Sequence, residues 1–163
     1  MNNNCILVEF TPAEIMEAAN AGVMRQVENI KGGAQAAYGS GNKMDWQLAI
    51  EGTLGERAVA KALNWYCPGK GIKCDADLVD PDGKPVDVRA SMHDGASLVI
   101  HDRDPNDRKF ILVTGRYGKY LVRGWVWPAQ AKLQKYWKDP TGNGRSAYFV
   151  PQRDLEPIRS LKE

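Results

Sequence analysis

The segment Val79-Asp80-Pro81-Asp82-Gly83-Lys84 leaves the backbone few choices. Proline presets φ for the first corner of a type I turn, and aspartates bond back to the local backbone. Glycine then takes the left-handed position that closes a three-residue hairpin loop. Two strands are therefore expected between Asp75 and Ser91. In that register Asp80 faces Lys84, Asp77 faces Asp87, and Asp75 faces Arg89. Strand side chains alternate between faces, so Asp75, Asp77, Asp87 and Arg89 share one face while Asp80 turns to the other. A slip of one residue would undo this arrangement.

Two carboxylates directly opposite on a sheet repel each other. A cation between them relieves the repulsion. Mg²⁺ suits such a place, since it is held by one or two carboxylates together with water and phosphate oxygens. Arg89 would project beside the same point, where a positive charge can hold a phosphate or stabilise developing negative charge. The plain alternative is a solvated hairpin in which Asp75 and Arg89 form a cross-strand salt bridge.

The rest of the chain supplies the layers. Thr11-Pro12-Ala13-Glu14 is a helix start with a capping box and an early proline. That helix is expected to run to about Ile30 and stop at Gly32-Gly33, followed by a mobile loop over 34–43. A second helix is expected over 44–65, ended by Pro68-Gly69. A strand is expected over 97–101. A second hairpin, 109–114 and 120–127, folds about Arg116-Tyr117-Gly118-Lys119. A short helix over 128–136, a loop over 139–144, a strand over 147–150 and a surface-packed tail over 152–161 complete the chain. Helices first and strands next imply a mixed α/β architecture: a mixed central sheet flanked by helices, without a doubly wound order. The 163 residues form one expected domain. Its parts are an N-terminal helical extension over 1–43 and a core over 44–163 with a basic C-terminal half.

The second helix reads Glu51-Gly52-Thr53-Leu54-Gly55-Glu56. Each internal glycine costs roughly 1 kcal/mol relative to alanine, which makes sense where a helix backbone closely approaches a sheet. Gly52, Gly55, Val59 and Leu63 lie on one side of the helix. Glu56 borders that side and Glu51 lies on the opposite flank, so Glu56 is the better placed of the two to reach the sheet. An exposed surface role is the simpler reading of either.

Charge is unevenly distributed. Between Arg108 and Arg145 there are nine Lys or Arg against one acid, Asp139. Between Cys74 and Asp94 there are six aspartates against Lys84 and Arg89. An acid cluster beside a basic half suits a metal site next to a polyanion surface. Arg116, Lys119, Arg123 and Arg145 are the candidate phosphate contacts, interleaved with Tyr117, Tyr120, Trp125 and Trp127. Solvated faces and cross-strand aromatic packing are the plainer explanation of the same residues. Three cysteines without C-x-x-C spacing and only two histidines argue against a disulfide framework, a zinc finger or a histidine-based triad. No apolar run is long enough to span a membrane, and the N-terminus lacks the layout of a signal peptide, so a cytoplasmic location is expected.

Taken together, Gly55-Glu56 on a helix, then Asp77, then Asp87-Val88-Arg89 in a hairpin resemble the PD-(D/E)XK nuclease superfamily. The resemblance covers about half of the chain, roughly Trp46 to Val122. It implies a restriction-endonuclease-like core and a Mg²⁺- or Mn²⁺-dependent hydrolysis of DNA phosphodiester bonds. It makes Glu56, Asp77 and Asp87 metal ligands and places Arg89 at the motif lysine. The stretch from Gly124-Trp125-Val126-Trp127 to Tyr148-Phe149-Val150-Pro151 is also similar to small phage-encoded proteins with this core, which would act in the host cytoplasm. Arginine stays protonated and cannot act as a base. Two other readings therefore stand beside the nuclease: a catalytically silent nucleic-acid-binding relative, and a phage-encoded protein-interaction factor. DNA is the expected partner of the first two. A homo-oligomer or a protein partner stays open.

Overall fold

The second helix and the sheet beneath it fix the positions of Glu56, Asp77, Asp87 and Arg89. In the computed structural model, residues 4–32, 45–67 and 76–162 are described. Asp75, the loop expected over 34–43 and the Pro68-Gly69 pair lie outside them. The elements are β1 (Ile6–Glu9), α1 (Pro12–Lys31), α2 (Asp45–Leu63), β2 (Leu78–Val79), β3 (Pro85–Ser91), β4 (Leu98–Ile100), β5 (Lys109–Arg116), β6 (Lys119–Val126), α3 (Pro128–Ala131), β7 (Trp137–Lys138) and β8 (Ala147–Val150). Single 3-10 turns follow at Gln134–Tyr136, Gln152–Asp154 and Ile158–Leu161.

Five strands form a mixed sheet in the order β1-β6-β5-β3-β2, with β3 and β5 parallel and the other pairs antiparallel. A second, antiparallel sheet has the order β4-β8-β7. The architecture is thus mixed α/β, in three layers. Strand β5 lies in the middle layer and is buried on both faces. Its Ile111 and Val113 pack with Leu54, Ala58 and Val59 of α2 and with Val86 and Val88 of β3. Its Phe110 and Leu112 pack with Leu98, Ile100 and Val150 of the small sheet. Alternation along one strand therefore serves two apolar clusters, as expected for a strand covered on both sides.

Helix α1 begins as the sequence implies. The Thr11 hydroxyl accepts from the Glu14 amide at 3.3 Å, and the Glu14 carboxylate accepts from the Thr11 amide at 2.7 Å. Two glycines set the helix packing. A Cβ on Gly22 would lie 2.7 Å from the Ile50 Cα, so α1 meets α2 backbone to backbone. A Cβ on Gly55 would lie 2.8 Å from the Ala90 Cβ, so α2 lies directly on β3.

Several boundaries differ from expectation. Helix α2 stops at Leu63, ahead of Pro68, because Asn64 adopts a left-handed conformation (φ 56°). The Trp65 amide then bonds to the Ala60 carbonyl at 2.9 Å, a Schellman-type end. The helix expected over 128–136 breaks after Ala131 and resumes as a 3-10 turn. At the break, Lys132 Nζ donates to the carbonyls of Asp102 and Asp104 at 2.8 and 2.7 Å. The N-terminal part contains a strand as well as a helix: β1 pairs with β6 and joins the main sheet. The C-terminal tail is pinned, with Ile158 fully buried and Trp125 and Glu156 exchanging two backbone hydrogen bonds. Among the described residues, no helix is long and apolar enough to cross a membrane.

Candidate active site at the β2–β3 edge of the main sheet

The turn at Asp80 builds the site. Its carboxylate accepts from the amides of Asp82 (3.0 Å) and Lys84 (2.9 Å) and forms an ion pair with Lys109 at 2.8 Å. Although burial opposes ionisation, these contacts together hold the Asp80 carboxyl below its usual range. Leu78 pairs with Val86 and Val79 with Pro85, which is the register that the turn chemistry implies.

Among the described residues β2 starts at Leu78, and its pairing with β3 covers Leu78–Val86 and Val79–Pro85. Asp77 immediately precedes β2. Its carboxylate accepts from the Val88 amide at 2.8 Å, in place of a strand carbonyl. Asp87 pairs with Phe110 and Arg89 with Leu112, so both project toward the small sheet, while Val86 and Val88 project toward α2. The acids are therefore split. Glu56 stands on the helix side, Asp87 on the other, and Asp77 at the edge between them.

The electrostatics follow that order. Burial, and then the charge of Glu56, push Asp77 up to about 6. Burial, and then the charge of Asp77, raise Asp87 as well. Each acid thus feels its neighbour. Three arginines offset the group. Arg25 grips both oxygens of Glu56 at 2.6 Å each, and Glu56 is 5% exposed. Gly52 lies beside this contact: a Cβ there would sit at ordinary contact distance, 3.8 Å, from the Arg25 guanidinium. Arg108, also buried, reaches Asp87 at 3.4 Å and Asp107 at 3.0 Å. Arg89 donates to Asp104 at 2.8 Å and to the Val99 carbonyl at 3.2 Å, and its guanidinium lies 5.1 Å from the centre of the Phe110 ring.

Sequence reasoning missed three of these partners: Arg25, Arg108 in its pairing with Asp87, and Asp104 in its pairing with Arg89. Gly22 was the available signal for Arg25, since that bare position marks where α1 presses on α2.

The candidate phosphate contacts divide. Arg116 and Lys119 pair across the β5–β6 turn, and Lys119 also meets Glu9 at 3.0 Å. Arg123 sits at a β-bulge that turns it inward, where it donates to the Thr114 hydroxyl at 2.6 Å and meets Asp94 at 3.5 Å. Arg145 lies exposed in the loop before β8.

Among the described residues, no group of three or more His, Cys, Asp or Glu is arranged to hold a metal ion. Both Glu56 oxygens are engaged by Arg25, which leaves a pair, Asp77 and Asp87. Two buried carboxylates, one raised by the charge of the other, are a donor set that a hard divalent cation fits, provided water or phosphate completes its shell. No protein-family model, curated protein or solved structure matches the chain.

Proposed function

We propose that the chain is a metal-dependent nuclease acting on DNA, with a restriction-endonuclease-like core. The observation that carries this reading is the Asp77–Asp87 pair: two desolvated carboxylates at the β2–β3 edge of the sheet, Asp77 raised further by the charge of Glu56 and Asp87 by that of Asp77. Asp77 and Asp87 would hold Mg²⁺ or Mn²⁺, and Glu56 would join them only by exchanging Arg25 for the ion. The cation would supply an activated water and neutralise charge on the phosphate. Arg108 orients the Asp87 carboxylate. Arg89 serves as a fixed positive charge for a phosphate oxygen, not as a base. Arg116 and Lys119 extend the positive surface along the bound strand.

The test is cleavage of linear duplex, single-stranded and branched DNA in Mg²⁺, Mn²⁺ or EDTA. The parent protein should cleave only with metal, and folded Asp87→Ala should not. Full activity in folded Asp87→Ala would sink the assignment.

A second reading is a nucleic-acid-binding protein without turnover. Both Glu56 and Arg89 are committed to ion pairs, with Arg25 and with Asp104, and that observation favours it. It predicts salt-sensitive DNA binding, little metal dependence and no cleavage with any divalent ion. Absence of both binding and cleavage would move the assignment to a protein partner.

A further inference from the structure

A cavity of about 720 Å³ opens on the helix side of the main sheet, between the start of α2, the end of β3 and the β5–β6 turn. Ile50, Leu54 and Val113 give it an apolar wall. Two of its aromatic residues, Trp46 and Tyr117, are exposed by 40% and 84%. Gln47 and Glu51 supply a polar edge, joined by a hydrogen bond of 2.9 Å. The volume falls in the range of small-ligand sites, which combine apolar walls with a few placed polar groups.

Tyr117 is the unusual member. It takes φ 55° and Gly118 takes φ 82°, so both turn residues are left-handed. Asparagine or glycine ordinarily fills the first position of such a turn, because a β-branch or bulky side chain is disfavoured there. Tyr117 gains no burial in return. Its ring lies 5.6 Å from the Arg116 guanidinium, and Arg116 makes no ion pair among the described residues. A strained backbone that displays a flat ring beside a cation is a starting point for a functional assignment.

We infer that this cavity takes one unpaired nucleobase, stacked on Tyr117 and Trp46, with its phosphate on Arg116. Flat ring faces suit a base, the cation suits its phosphate, and the Gln47–Glu51 edge can exchange hydrogen bonds with ring nitrogens and exocyclic groups. An acyl chain would leave that edge and both ring faces without complementary groups. Ala90, which lines the cavity, is three residues beyond Asp87 on β3 but faces α2, whereas Asp87 faces the small sheet, so the cavity and Asp87 lie on opposite faces of that strand. The inference rests on the nucleic-acid part of the proposed function, not on its cleavage step. It narrows the substrate to one with an unpaired nucleotide: a single strand, a flap or a frayed end.

The test measures binding in EDTA, so that cleavage does not intervene. The probes are a short labelled single strand, its blunt duplex and dAMP alone. The parent should bind the single strand at least about tenfold more tightly than the duplex. Tyr117→Gly should weaken single-strand binding roughly tenfold while raising the thermal midpoint, since glycine relieves the left-handed strain. Arg116→Gln should weaken it and flatten its salt dependence. Bound strand should quench tryptophan fluorescence in the parent and less in Trp46→Leu. Competition by dAMP would assign the cavity to any nucleotide, and competition only by strands to a nucleotide within a chain; either outcome supports the base pocket. Unchanged single-strand binding in Tyr117→Gly, or no binding of any probe, overturns it. The two readings fail separately: strand binding without cleavage by the parent in Mg²⁺ removes the nuclease alone, whereas cleavage with unchanged Tyr117→Gly binding removes the pocket alone.

Discussion

Arg25 of α1 and Glu56 of α2 meet through two parallel hydrogen bonds of 2.6 Å, joining the helices beside the edge that carries Asp77. Glu56 is buried, whereas the Arg25 side chain is about a quarter exposed (26%). Removing the arginine alone strands a desolvated carboxylate. Arg25→Gln should therefore destabilise the fold by about 3 kcal/mol, the lower end for breaking a buried pair. Urea unfolding of Arg25→Gln and of Arg25→Gln/Glu56→Gln measures this, and the double variant should recover part of the loss. If Glu56 also binds a cation, Mg²⁺ should raise the thermal midpoint of Arg25→Gln more than that of the parent.

Asp77 makes stability depend on pH in an unusual direction for a carboxylate. Its folded pKa is about 6 against an ordinary 3.8, so the folded state binds the extra proton between those values. Stability from this group is complete below about 3.8 and is lost as pH rises through about 6. Asp87, raised in the same direction, adds to the effect. Urea midpoints taken in EDTA should fall across this window, and Asp77→Asn should flatten the fall. A profile with the same slope in parent and variant would contradict the assignment.

Gly55 and Ala90 are a matched pair of small residues. Gly55→Ala places a methyl 2.8 Å from the Ala90 Cβ and should cost about 1–3 kcal/mol. Adding Ala90→Gly removes the clash, so the double variant should be more stable than the two single losses predict. A double-mutant cycle on unfolding free energies reads this coupling.

Arg89 holds the small sheet to the main one through Asp104 and the Val99 carbonyl. Arg89→Lys cannot keep both contacts from one ammonium group. It should lower stability by about 1–2 kcal/mol, the scale of a hydrogen bond to a charged group. Asp104→Ala should cost about as much and be non-additive with it. Equal stability in Arg89→Lys and parent would show that the clamp does not hold in solution.

The features legible in the sequence were those set by local chemistry. The Asp80-Pro81-Asp82-Gly83 turn dictates its own register, and Thr11 and Glu14 close their box within one helical turn. Asp87 and Arg89 share a face because strand alternation requires it. Which face the helix covers was also written in the chain, as Val86 and Val88, yet the resemblance places Glu56 with Asp87. The structure puts them on opposite sides of β3, with Asp77 between. Strand β1 and the Arg25–Glu56 contact depend on segments far apart in sequence, and no local rule reports them. The end of α2 at Asn64 was hidden because the conspicuous breaker, Pro68, comes later.

Strand β5 serves both apolar clusters through alternate residues of Phe110-Ile111-Leu112-Val113, and β6 beside it does the same, with Tyr120 and Val122 in one cluster and Val126 in the other. Neither cluster can come apart while the other keeps its packing, so the three layers should melt as a single cooperative unit. The backbone amides of β5 would then be the last to exchange with solvent, at the free energy of global unfolding. The short β2–β3 hairpin bearing Asp77, with two paired positions in β2, would exchange sooner. The molecule thus sets its acidic rim at the margin of a spine that holds both clusters together.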